Sequence, residues 1–308
     1  MDGMLFFSAS NITRRLSAIA LLLTAYVSLA PIPPSYGAGS WTNEPSGFNV
    51  IVDCPFSNSL CPGMWDAYNS ASFANIPGGP VSPNTVLDDY IGAGSSTGSG
   101  MWGANLSDVK ELYIGTWWST NTDFQGICNN SNKMLFARNS SIDNNFLVWQ
   151  GPPGAPKTLK WYMQATYDNC GHPGEFGMCY SQGDGTGWFE PNVGSGTVTA
   201  GSGWHRIEIY LKTSSSKTSR DGNVKWWIDG QPVGNYPSVN LSPGGLQEFQ
   251  INHTWDGSSC LVSPNRDMSK AWHHYWDHLH ISTGQGGASA DQPAGPPMAP
   301  TLRSVSIP

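Results

Sequence analysis

From about residue 111 onward the chain alternates apolar and polar residues in short runs, each bordered by Gly, Pro, Asn or Asp. Segments 111–118, 133–138, 145–150 and 159–166 show this period of two, which predicts strands with one face turned inward. A second series follows at 204–212, 224–230, 248–253 and 272–282. Upstream, 48–53 predicts a first strand, and a stretch rich in Gly, Pro, Ser and Asn runs from 54 to 104. A structureless loop of that length does not suit a compact domain, so short strands are expected inside it, for example at 85–87. Asp221-Gly222 and Asp229-Gly230 are turn dipeptides, the second suited to a tight hairpin. Nowhere does a capping residue lead into a run of helical spacing. The fold class is therefore all-β, and one unbroken pattern over 39–283 predicts a single sandwich domain of two antiparallel sheets.

Both ends differ from this pattern. Arg14 and Arg15 precede the apolar run 16–25, the layout of a secretory signal, so residues 1–38 are expected to be a leader and the protein to be secreted, extracellular or periplasmic. An uncleaved leader anchoring the same domain outside a membrane is the alternative. After leader removal no membrane contact is expected, and the domain is read as a monomer. Residues 284–308 are rich in Gly and Pro and read as a flexible tail.

Composition narrows the partners. A net charge of −7, with no basic cluster interleaved with aromatics, argues against nucleic acid. Only 12% of residues are charged while there are 36 Gly and 14 Trp, the profile of aromatic strands joined by many turns. Six cysteines in an exported chain favour disulfides over metal thiolates. Proximity suggests Cys54–Cys61 and Cys170–Cys179, leaving Cys128 with Cys260, among the fifteen pairings that six cysteines allow.

Segment 272–282 is the densest in rings and imidazoles. Strict strand alternation would set Trp272, His274, Trp276, His278 and His280 on one face, and Tyr275, Asp277, Leu279 and Ile281 on the other. The first set suits a groove that stacks on sugar rings and moves protons, or equally an aromatic layer with satisfied histidines. A zinc or copper site using His274, His278 and His280 would need a partner such as His205 or His253 from another strand.

Residues 204–211, 221–230 and 275–282 together resemble the closing half of concanavalin A-like jelly rolls, more narrowly the secreted polysaccharide lyases and laminin-G-like domains of that superfamily. The resemblance implies a β-jelly-roll sandwich acting on a polysaccharide. The Glu-x-Asp-x-x-Glu motif of the laminarinase-like hydrolases is absent, which counts against a retaining hydrolase. The Arg-x-Glu-x-Arg and Gln-x-His strands of alginate-type lyases have their nearest counterparts in 206–210 and 250–253, with Tyr210 in place of the second Arg and His253 displaced by one residue.

On that resemblance the expected reaction is β-elimination on a uronate-containing glycan in a concave groove. A cation or amide neutralises the carboxylate, a base removes the C5 proton, and an acid protonates the leaving oxygen. His278 or His280 is the expected base and Tyr210 or Tyr162 the acid. Arg206 with Gln250 or Asn252 would neutralise the carboxylate. Trp117, Trp227 and Trp276 would stack on sugars, with Gln164, Glu208 and His274 completing substrate contacts. No cofactor is required, and the resemblance allows a structural Ca2+ at Asp277. A non-catalytic lectin-like domain using the same rings is the alternative, followed by a glycoside hydrolase or a structural surface protein.

Overall fold

The computed structural model describes residues 41–284 except 77, 82–84, 94–99, 123–130, 139–142, 151–157, 167–185, 217–218, 240, 242–243 and 255–268. The expected leader, nearly all of the expected tail, and Cys128, Cys170, Cys179 and Cys260 lie outside these residues. Among the described residues all regular structure is strand.

The strands, in chain order, are β1 (Asn49–Cys54), β2 (Met64–Asp66), β3 (Phe73–Ala74), β4 (Val86–Ile91), β5 (Met101–Val109), β6 (Glu111–Thr120), β7 (Ser131–Arg138) and β8 (Asp143–Gln150). They continue with β9 (Thr158–Thr166), β10 (Thr186–Phe189), β11 (Thr197–Thr199), β12 (His205–Lys212), β13 (Gly222–Ile228), β14 (Gln231–Val239), β15 (Leu246–Thr254) and β16 (Trp272–Thr283). Strands β2 to β4 and the start of β5 occupy the Gly- and Pro-rich stretch in which short strands were expected, and the Cys54–Cys61 disulfide pins its start.

Two antiparallel sheets result. One runs β14-β13-β12-β6-β16-β4-β3, with β1 also paired to β16; the other runs β10-β9-β8-β7-β15-β5-β2, with β11 also paired to β9. Alternation sends Leu112, Ile114 and Trp118 of β6 and Ile207, Ile209 and Leu211 of β12 into one core with Trp161 and Met163 of β9 and Phe249 and Ile251 of β15. Trp118 of the first sheet meets Trp161 of the second edge to face at 5.1 Å. This is the expected all-β sandwich.

The last strand departs from simple alternation. Its register against β6 slips between Asp277 and Leu279, and the extra residue, His278, has φ 65°. A bulge of this kind reverses which face each later residue occupies. Trp272, His274 and Trp276 therefore point into the core before the bulge, and Leu279 and Ile281 do so after it. The physical reason is visible in the chain: two apolar series of period two are out of phase, and only an inserted residue lets both reach the core.

Candidate functional site

The expected site residues separate into three groups. Trp276 and His274 are fully buried between the sheets, where the His274 Nδ1 accepts a hydrogen bond from Trp118 Nε1 at 3.0 Å. This corrects the expectation that they share a face with His278 and His280; the bulge separates them. Arg206, Glu208, Tyr210, Trp117, Trp227, Asp277, His278 and His280 lie on the outer face of the β6–β16 sheet. Tyr162, Gln164, Gln250 and Asn252 belong to β9 and β15 of the other sheet. The second and third groups are thus on opposite sides of a sandwich whose sheets pack about 10 Å apart, so they do not form one groove.

On the β6–β16 side the ladder sets Glu208 beside Gly115 and Gly115 beside His280. Gly115 leaves the floor flat. A Cβ there would stand 2.4 Å from the indole of Trp41, a residue of the segment that crosses this face before β1. The Trp41 ring lies 5.3 Å from that of His278 and 5.6 Å from that of His280, and it clusters with Tyr113 and Trp117. Around it the polar groups are paired with one another. Glu208, wholly buried, accepts from Asn43 N and Nδ2 at 3.1 and 3.0 Å and from Tyr113 OH at 2.6 Å, and it pairs with Arg206 Nε at 3.0 Å. His278 Nε2 meets Asp53 Oδ1 at 2.5 Å, while His280 spans Asp53 Oδ1 at 3.3 Å and Glu44 Oε1 at 3.1 Å. The Tyr210 hydroxyl donates to Glu111 at 3.0 Å, and Asp277 Oδ2 accepts from Val81 N at 2.7 Å.

The electrostatics follow from this pairing. Burial drives the Tyr113 phenol far above its usual range, and the Glu208 charge and hydrogen bond add to the rise. Tyr210 is raised for the same reasons, burial first and then Glu111. Burial alone would raise the Asp53 carboxyl, but the hydrogen bond and charge of His278, then those of His280, bring it below its ordinary value. Both tyrosines therefore hold their protons tightly, and the imidazoles are engaged with carboxylates. Among the described residues, no group of three or more His, Cys, Asp and Glu is arranged to hold a metal ion.

The other outer face is organised differently. Across the strands, Trp188, Gln164, Asn145, Phe136, Gln250, Gly103 and Trp65 occupy matched register positions on β10, β9, β8, β7, β15, β5 and β2. This row crosses the sheet at right angles to the strands over six spacings, about 29 Å. Near its centre Asn252 Nδ2 donates to Gln250 Oε1 at 3.0 Å. Arg138 faces Glu248 one pleat away, with Nε–Oε2 at 3.9 Å, and Lys160 pairs with Glu190 at 3.5 Å; Tyr162 and Lys160 follow on β9. Tyr162 is three strand spacings from Gln250, about 14 Å, so these two serve different positions along any bound chain. The side chain of Gln164 lies outside the described ones.

Arg138 and Phe136 were not foreseen from the sequence; the pairing of β7 with β15 brings Phe136 beside Gln250 and Arg138 beside Glu248. Nor was His273, whose ring stacks between Tyr90 and Tyr275 at 5.6 and 5.5 Å and whose Nδ1 meets Asp88 Oδ1 at 2.8 Å on the outer face of the β6–β16 sheet. The phase break between Trp276 and Leu279 was the available signal, since it assigns His273 and Tyr275 outward.

No family model matches the chain, and no curated protein does. Among solved structures, a mutant alginate lyase bound to an alginate trisaccharide is 14% identical, with 75% of this chain and 97% of that one covered, at a TM-score of 0.49. An endo-β-1,4-glucuronan lyase from the fungus Trichoderma reesei is 12% identical over 74% of this chain and 94% of that one, TM-score 0.46. The binding domain of botulinum neurotoxin serotype C1 is 9% identical over 72% of this chain and 44% of that one, TM-score 0.41. These are likenesses of strand arrangement, and no activity is transferred from them.

Proposed function

We propose that this protein is carbohydrate-active and holds a uronate-containing polysaccharide along the cross-strand row of the β7–β15 sheet, cleaving it by β-elimination. The observation that carries the reading is the row itself: amide and aromatic residue types at matched positions on all but one of its strands, where Gly103 stands, bounded by Trp188 and Trp65. A linear glycan offers repeated hydroxyls and flat ring faces, and such a row offers amides and rings in return. At its centre the Gln250–Asn252 pair and Arg138 supply donors for a uronate carboxylate, which makes the neighbouring C5 proton more acidic. Charge favours this face. Its cations Lys133, Arg138 and Lys160 stand against Glu190, Glu248 and Asp143, whereas the opposite face sets Glu44, Asp53, Asp88, Glu111, Glu208 and Asp277 against Arg206, Lys212 and Lys225.

Gln250 and His253 stand in the segment that resembles the Gln-x-His strand of the lyases. His253 follows Asn252 where the β15–β7 register slips, and it is the first base to test; its side chain lies outside the described ones. The experiment follows ultraviolet absorbance of the unsaturated uronate product on a panel of acidic polysaccharides, with affinity electrophoresis in parallel. Absorbance lost in His253→Ala, with retention on the gel preserved, supports elimination with His253 as base. Retention without absorbance in the wild type would reduce the reading to a binding module. Neither signal on any acidic glycan would overturn it.

A further inference from the structure

A second chemical centre stands at the end of β12, outside the row on the other sheet. Ser202 is exposed in the turn Gly201-Ser202-Gly203, and its Oγ lies 2.7 Å from His205 Nε2. His205 Nδ1 lies 2.8 Å from Asp229 Oδ2. The Asp229 carboxylate is fixed in turn, because its other oxygen accepts from Arg206 N at 2.8 Å and its own N–H donates to Arg206 O at 2.8 Å. We propose that Ser202, His205 and Asp229 form a nucleophilic triad that accepts acyl groups from carboxylic esters, with O-acylated hydroxyls of a sugar as the fitting substrate class.

The roles follow from hydrogen-bond direction. A carboxylate on Nδ1 keeps the proton there and leaves Nε2 as the acceptor facing the serine hydroxyl. The Thr199 carbonyl, 2.6 Å from the same Oγ, is a second acceptor for the serine hydroxyl proton beside Nε2. The turn is held in place: Gly201 has φ +68° and a Cβ there would stand 2.3 Å from Thr122 Cα, while the corresponding space at Gly203 is open. The nucleophile is thus carried on a constrained turn with open space on one side. In the reaction Oγ bonds to the ester carbonyl carbon as its proton passes to Nε2. The ester C–O bond then breaks and the alcohol leaves with that proton. Water adds to the acyl-serine, giving its proton to Nε2, and the acyl–Oγ bond breaks to release the carboxylic acid and restore Ser202. Asp229 acts through His205 and is a positioning residue.

The test uses the full chain, a fluorophosphonate probe and p-nitrophenyl acetate, with peptide mapping of the labelled residue. The expected result is stoichiometric labelling of Ser202. It should be lost in Ser202→Ala and slowed at least ~100-fold in His205→Gln, the low end of what a general base contributes. Asp229→Asn, which keeps an acceptor for Arg206 N, should slow labelling and shift its pH profile without an equal loss of melting temperature. A merely structural turn would show no such profile change. An unlabelled wild type, or labelling that survives Ser202→Ala, would overturn the proposal. The mapped residue keeps this outcome separate from the fate of the polysaccharide reading, which rests on the other sheet.

Discussion

The two outer faces of the sandwich draw on the same residue types and use them in opposite ways. On the β6–β16 side, His278, His280, Tyr113, Arg206 and Glu208 are drawn into contacts with Trp41, Asn43, Glu44 and Asp53 of the segment 41–54, and little of their hydrogen-bonding capacity faces outward. On the β7–β15 side, amides and rings stand in a register-matched row whose centre, Gln250 and Phe136, is itself buried, while the neighbouring Arg138–Glu248 pair is longer, at 3.9 Å, and partly exposed. The lesson is that a concentration of imidazole, phenol and carboxylate marks a catalytic centre only when the groups are left for a ligand. Where they satisfy each other under a covering segment, they serve as a small second core.

The contrast is most easily broken through stability. Glu208→Ala removes the acceptor shared by Asn43, Tyr113 and Arg206 and leaves a buried guanidinium without that partner, so a loss of about 3–5 kcal/mol is expected in chemical denaturation. Trp41→Ala uncovers Gly115 and should cost a similar ~3–5 kcal/mol by the same measurement. A change below about 1 kcal/mol in either variant would mean that this face is not a second core.

Substitutions on the other face should spare stability and weaken ligand binding. Arg138→Ala breaks a pair at 3.9 Å that is about one-third exposed and should move stability by no more than ~1 kcal/mol. Retention of the protein on a polyuronate gel should nevertheless fall at least ~10-fold, the equivalent of ~1.4 kcal/mol of binding. Lost stability with unchanged retention would reverse the assignment of the two faces.

The smallest expected effect is on the acid limb of the stability curve. Asp53 titrates below its ordinary value in the folded protein because His278 and His280 favour its charged form against a partial desolvation. Its contribution is thus present above the unfolded value of about 3.9 and is lost as pH falls through the folded one. Asp53→Asn should flatten that part of the curve in acid titrations followed by circular dichroism. An unchanged acid limb would show that the Asp53 contacts carry no stability.

Most of the fold was legible because the apolar alternation in β6, β9, β12 and β15 is regular and one face of each strand is wholly buried. Which strands share a sheet was not legible. The concave-groove expectation joined β12 and β16 to β9 and β15, yet nothing within a single strand records its neighbours, and the ladders separate the pairs. The bulge at His278 was legible in principle. Trp272, His274 and Trp276 are in phase with one another and out of phase with Leu279 and Ile281, so an unbroken strand would have exposed one of these sets. The covering role of Trp41 was not: one tryptophan close to the expected leader gives no sign of settling on Gly115, 74 positions later in the numbering.

The most direct test of the division between the faces compares Gln250→Ala with His280→Ala, both verified as folded, in affinity electrophoresis on polyuronate with ultraviolet detection of elimination products. Gln250→Ala is expected to lose retention and product together while His280→Ala keeps both in its folded fraction. Retention and product kept by Gln250→Ala and lost by His280→Ala would contradict that division, and would move the site to the face beneath Trp41.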